Sequence, residues 1–205
     1  GYEVGILSVA SGNTLLLSGG VLTLEDASCI DDLSISGGSL VANADAQIGL
    51  LSLSAGAMGG SGVLTAGRET TWSGGTLGTG GGRMIVAGPL RIIEGSQKSI
   101  RDYTLENAAS VTVSADQIDF YDGARIDNAG VFDLQSDLFL THVSGITGVF
   151  TNAAGATVHK TAGAGTAGFH LPLDNNGEVG VAAGTLAFDG GGNHTGGFTD
   201  RKSVV

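Results

Sequence analysis

The sequence predicts an all-β fold, a single-stranded parallel β-helix (β-solenoid) of about ten coils, and three observations predict it. A phrase recurs near the start: "LLLSGG" at residue 15, "LSISGG" at 33, "LSLSAG" at 51 and "TTWSGG" at 70, with spacings of 18, 18 and 19. A different phrase recurs later: "TLENAASVTV" at 104, "RIDNAGVFDL" at 125, "VFTNAAGATV" at 149 and "PLDNNGEVGV" at 172, with Asn107, Asn128, Asn152 and Asn175 spaced by 21, 24 and 23. Within the copies, apolar residues alternate with small polar ones, as in Leu33 and Ile35 around Ser34, the period of a strand. No window of about a dozen residues carries a capped helical stripe.

The chain divides into a first repeat array over about 6–90, a loop over about 91–103, a second array over about 104–199 and a tail over 200–205, within one domain. In the first array a strand as short as "LSIS" cannot bury its apolar edge alone. If coils stack, such strands pair in parallel about 4.8 Å apart and equivalent positions form columns. Leu15, Leu33 and Leu51 form one expected column; Leu17, Ile35, Leu53 and Trp72 form another. The Gly-Gly and Ala-Gly pairs between them turn the chain, because glycine takes positive φ without steric cost. In the second array the four asparagines are the expected structural ladder: each tolerates a left-handed turn, and its amide reaches the copies above and below. Ten coils at the inter-strand spacing make a rod on the order of 50 Å long. An antiparallel sandwich or barrel also shows many short strands, but leaves the in-register recurrence unexplained.

Composition narrows the function. Nine Lys and Arg against twenty Asp and Glu give a net charge of −11, the opposite of a nucleic-acid footprint. The single Cys29 excludes an internal disulfide framework and reads as a small buried hydrophobe. No apolar run approaches the ~20 residues of a membrane helix, so membrane insertion is not expected. Residues 1–30 lack a signal-peptide pattern, and the opening "GYEVG" without methionine reads as an excised piece or a mature product.

The segments "TWSGGTLGTGGGRMIVAG", "TLENAASVTVSADQIDFYDGARIDNAGVFDLQ" and "GVFTNAAGATVHKTAGAGTAGFHLPLDNNGEVGVAAGTLAFDGGG" resemble the Gly-, Asn- and Thr-rich repeats of large secreted bacterial surface proteins, of the filamentous-haemagglutinin and autotransporter-passenger kind. The resemblance covers roughly residues 70–199. It implies a right-handed parallel β-helix at the bacterial cell surface, with a structural or adhesive role. It brings no catalytic residues. "DRKSVV" at the end departs from the repeat style.

Acids concentrate in residues 102–137, at Asp102, Glu106, Asp116, Asp119, Asp122, Asp127, Asp133 and Asp137. Asp119 and Asp133 alternate with apolar neighbours and face outward, as a solvated face or as a cation or glycan site. Asp119 and Asp122 are the ligand candidates, calcium being one possible cation; no cofactor is otherwise expected. "GGSGV" around Ser61 is no nucleophile elbow, since Val63 stands where glycine is needed. "GTGGGR" lacks the Lys-Ser/Thr ending of a phosphate loop, and "GGSGVL" lacks the aspartate of a calcium roll. His142, His159, His170 and His194 show no metal-ligand spacing. The basic residues Arg91, Lys98 and Arg101, with Tyr103, fall in the loop expected between the arrays, and loops inserted in a solenoid often bind. They are the candidate contact for an acidic glycan or a protein partner. Open solenoid ends call for self-association or continuation into further repeats. A polysaccharide lyase or hydrolase with acids on neighbouring coils is the alternative to the structural and adhesive reading.

Overall fold

Through its second half the chain winds three short strands per coil. In this computed structural model, which describes residues 1–200, twenty-four strands and no helix are found among the described residues. The result is a parallel β-solenoid of about ten turns. Every inter-strand pairing is parallel, and through the second half, up to the last coil, each strand pairs with the strands three before and three after it; at the end Glu178–Val181 pairs with Gly197–Asp200. Three rows result. The first contains Arg83–Val86, Thr104–Asn107, Arg125–Asn128, Val149–Asn152 and Leu173–Asn175. The second contains Thr70–Trp72, Pro89–Ile92, Ser110–Val113, Val131–Leu134, Thr157–Lys160, Glu178–Val181 and Gly197–Asp200. The third contains Gly75–Gly78, Lys98–Arg101, Gln117–Tyr121, Phe139–Ser144, Thr166–His170 and Thr185–Phe188. In the first half the strands Ser28–Ala42 and Ala46–Gly59 run on around the corners.

The repeated phrases set the register. Leu15 sits on Leu33 and Leu33 on Leu51, while Leu17, Ile35, Leu53 and Trp72 form the next inward column. The positive φ of Gly20, Gly56 and Gly75 explains the recurrent glycines at three of the four corners, whereas Gly37 and Gly38 lie within the strand Ser28–Ala42 without positive φ; a Cβ on Gly56 would stand 2.1 Å from the Gly38 carbonyl oxygen of the coil before. The first column continues through Thr70 to Leu90, Val111 and Phe132. Thr70 is buried and its hydroxyl has no partner. Thr70→Val keeps the β-branched shape and removes that polar atom, so it should raise the unfolding free energy by about 1 kcal/mol, read as a higher urea midpoint.

Asn107, Asn128, Asn152 and Asn175 lie one above another in the first row, all buried. Each Nδ2 donates to the Oδ1 of the next, at 2.7 Å from Asn107, 2.8 Å from Asn128 and 2.8 Å from Asn152. The second N–H of each reaches a backbone carbonyl: Val131, Thr157 and Glu178 for the first three, Gly197 for Asn175. None is left-handed, contrary to expectation, since among the described residues positive φ outside glycine occurs only at Thr79, Asp102 and Asp122. The side chain makes the turn instead: Asn107 Oδ1 accepts from the Ala109 N–H and Asn175 Oδ1 from the Gly177 N–H. His194 bridges Asn175 and packs against Phe188 and Phe198.

An aromatic run fills the interior of the same coils. Phe132 meets Phe150 edge-on at 5.0 Å, Phe150 meets Phe169 edge-on at 5.1 Å, and Phe188 stacks on Phe169. Beside it Lys160 occupies an inward position between Leu134 and Val181 and is 0% exposed. Its ammonium leaves the core by reaching a corner, where Nζ bonds Asp137 Oδ1 at 2.8 Å and the carbonyls of Ala162 and Gly163. The Lys160 hydrogen bond, helped by the Gly165 N–H, holds the Asp137 carboxyl below its usual range. A depressed folded value means that this stabilisation is present above the ordinary carboxylate value of about 3.9 and is lost as pH falls through the folded one. Asp137→Asn should therefore lower the denaturation midpoint at pH 7 and flatten its decline below about pH 4, measured by urea unfolding across pH.

Three further expectations are corrected by the structure. Residues 91–103 do not bulge as a loop: Pro89–Ile92 and Lys98–Arg101 stack in register in the second and third rows, leaving 93–97 between them. Cys29 is exposed, because its neighbours Ser28 and Ile30 take the inward positions and turn it out. Of the expected tail, Asp200 belongs to the last strand, and 201–205 lie outside the described residues.

Candidate functional site

A cleft lies at the corner between the second and third rows, where two successive coils change direction. Its walls are the connection 93–97 on one coil and Asp116 and Gln117 on the next; the space between is about 460 Å³. Gly95, at φ 152°, lets the upper connection lie against Ser73, whose carbonyl oxygen would stand 2.2 Å from a Cβ there. The side chains that line the space are Glu94, Gln97, Lys98, Asp116, Gln117 and Asp119.

Asp119 takes an outward strand position, in register with Ser99, yet is only 4% exposed. The amides of two glutamines cover it: Gln97 from the neighbouring coil donates to Oδ2 at 2.6 Å, and Gln117 from its own strand donates to Oδ1. Asp119 is thus the anchor that ties the two walls together. Lys98 takes an inward position in the strand Lys98–Arg101 and is also 4% exposed. Its Nζ donates to the Ser96 carbonyl at 3.1 Å and makes no ion pair among the described residues. Burial lowers its pKa, opposed by the nearby charges of Asp116 and Glu94. The cleft therefore juxtaposes a buried cation, two solvent-reachable carboxylates and two oriented amides.

The other candidates fall elsewhere. Arg91 faces outward from the second row, 3.9 Å from the exposed Glu69. Arg101 faces outward from the third row, its guanidinium 4.1 Å from the centre of the Tyr121 ring and 2.6 Å from Asp122 Oδ2. That is a surface cation–π contact closed by an ion pair. Tyr103 is buried, its hydroxyl has no partner, and burial pushes the phenol far above its usual range. Of Arg91, Lys98, Arg101, Tyr103, Asp119 and Asp122, the fold thus brings Lys98 and Asp119 together in the cleft and pairs Arg101 with Asp122 on the surface, while Arg91 and Tyr103 stand apart. Gln97, Gln117 and Glu94 were missed in the sequence; the signal that could have found the pair is Gln97 lying 22 residues before Asp119, close to one coil. Among the described residues, no group of three or more His, Cys, Asp or Glu is arranged to hold a metal ion.

No protein-family model, curated protein or solved structure matches the chain. No helix among the described residues is long and apolar enough to cross a membrane.

Proposed function

We propose that the chain is a structural and adhesive segment of an extracellular bacterial surface protein, presenting a rigid β-helical surface to glycan or protein partners. The observation that carries the reading is the uninterrupted parallel stacking from Tyr2–Val4 to Gly197–Asp200, three strands per coil in the second half. Each coil contacts mainly its neighbours, so stiffness and stability accumulate along the axis while the outward rows remain free to vary. The repeat style of filamentous-haemagglutinin-like and autotransporter-like surface proteins supports the same reading. At the ends, Tyr2–Val4 and Ser8–Leu17 pair on one side only, as do Thr185–Phe188 and Gly197–Asp200, and Tyr2, Ile6, Leu16 and Phe198 are exposed. Such edges favour further coils or self-association.

The second reading, a polysaccharide lyase or hydrolase, draws on one observation: Glu94, Asp116 and Asp119 line a single cleft. The deciding experiment incubates the purified protein with acidic and neutral polysaccharides, with and without calcium, and measures both co-sedimentation and new reducing or unsaturated ends. Co-sedimentation without cleavage is expected. Released ends that disappear with Asp116→Asn would make the protein an enzyme; no retention on any polysaccharide and no cleavage would leave protein partners as the adhesive target.

A further inference from the structure

From the corner cleft we infer that this chain's glycan ligand is an uncharged, hydroxyl-rich saccharide, bound with Lys98 as donor and Glu94 and Asp116 as acceptors. The inference rests on the adhesive reading above and names the ligand and the site. It departs from the basic contact for an acidic glycan that the sequence suggested.

Charge decides the class of ligand. Three carboxylates and one ammonium line the cleft, while Arg91 and Arg101 are not part of its lining and are engaged with Glu69 and Asp122. A uronate or sulfated sugar entering here would meet net negative charge in a partly desolvated space. A sugar hydroxyl has no such penalty, and it both donates and accepts. The lining asks for that dual capacity. The Lys98 ammonium makes one protein hydrogen bond, to Ser96, and so retains two N–H donors. Asp116 and Glu94 lie close enough to act electrostatically on Lys98 but form no ion pair with it. A hydroxyl set between them accepts from the cation and donates to the anion. Asp119 is already engaged by Gln97 and Gln117, and so holds the walls at fixed separation. That preorganisation lowers the ordering cost of binding. None of these lining side chains is aromatic, so hydrogen bonds rather than ring stacking set specificity.

The test uses the intact protein, titrated with maltohexaose, cellohexaose and mannohexaose as neutral probes and with trigalacturonate as the acidic one. Binding is followed by calorimetry and by amide NMR shifts. At least one neutral probe should shift the amides of Gln97, Lys98, Asp116 and Gln117 and bind more tightly than trigalacturonate. Lys98→Met and Asp116→Asn should each weaken it by about tenfold or more, with circular dichroism unchanged. Asp116→Asn alters an exposed corner residue at constant size, so it decides the question even if Lys98→Met folds poorly. Neutral-sugar binding that survives both substitutions overturns the cleft assignment and leaves the adhesive reading standing. Preference for trigalacturonate overturns the ligand class. Binding of no saccharide here or in the polysaccharide panel overturns both the cleft and the glycan branch of the adhesive reading.

Discussion

Phe150→Ala should cost about 4 kcal/mol of unfolding free energy, the largest loss expected from any single truncation in the molecule. Phe150 is 0% exposed and stands between Ile126 and Leu173 in the first row. It also takes the edges of two other rings, Phe132 from the second row and Phe169 from the third. Truncation removes the transfer free energy of a buried ring, leaves a cavity that stacked coils have little freedom to collapse, and breaks two edge-to-face contacts of about 0.5–1.5 kcal/mol each. Phe150→Leu, which keeps most of the volume, should cost less than half as much. Guanidinium unfolding of the three proteins compares them directly; equal midpoints for Phe150→Ala and the parent would falsify the view that this aromatic run holds the three rows together.

Asn152→Asp should be nearly as damaging at neutral pH, and reversibly so. Asn152 accepts from Asn128 and donates both to Asn175 Oδ1 and to the Glu178 carbonyl. An ionised aspartate can still accept, but it faces two oxygens it cannot donate to in a fully buried site, a loss of about 3 kcal/mol or more. Protonation restores one donor. The folded-state pKa of the new carboxyl is therefore raised above its unfolded value of about 3.9. Relative to the parent, the variant is least impaired below that pH and loses stability as pH rises through the raised folded value. Asp137 works in the opposite sense, so the informative quantity is the difference between variant and parent midpoints from pH 3 to 8. A difference that does not change with pH would mean that direction along the amide ladder is irrelevant.

The columns built on Leu15, Leu33 and Leu51 were legible in the sequence because their coils share one phrase and one length, and stacking converts equal spacing into contact. Asn107 to Asn175 were legible as a recurrence, but their conformation was not: the amide that allows a left-handed turn serves equally as a side-chain cap on an extended strand. Residues 91–103 misled because "PLRI" and "KSIR" carry cations on four-residue strands, too short to show a period, and because Lys98 points inward. Lys160 went unnoticed for the same reason: nothing local distinguishes a lysine that sends its ammonium out through a corner from one in solvent. Asp119 was correctly read as outward, but its burial depends on Gln97 a full coil away.

The hydrogen bonds that join the coils run from one coil to the next, along the length of the rod. Under tension applied at the two ends, the load therefore falls on one coil boundary at a time, and the rod should unravel stepwise, as thread leaves a spool. Each turn between ladder asparagines is 21 to 24 residues, so each step should release roughly 70–85 Å of extended chain. Coils that carry the amide ladder and the aromatic run should let go last. A surface filament built this way would be stiff against bending yet would lengthen under pull in increments, dissipating load before a bound partner is torn free.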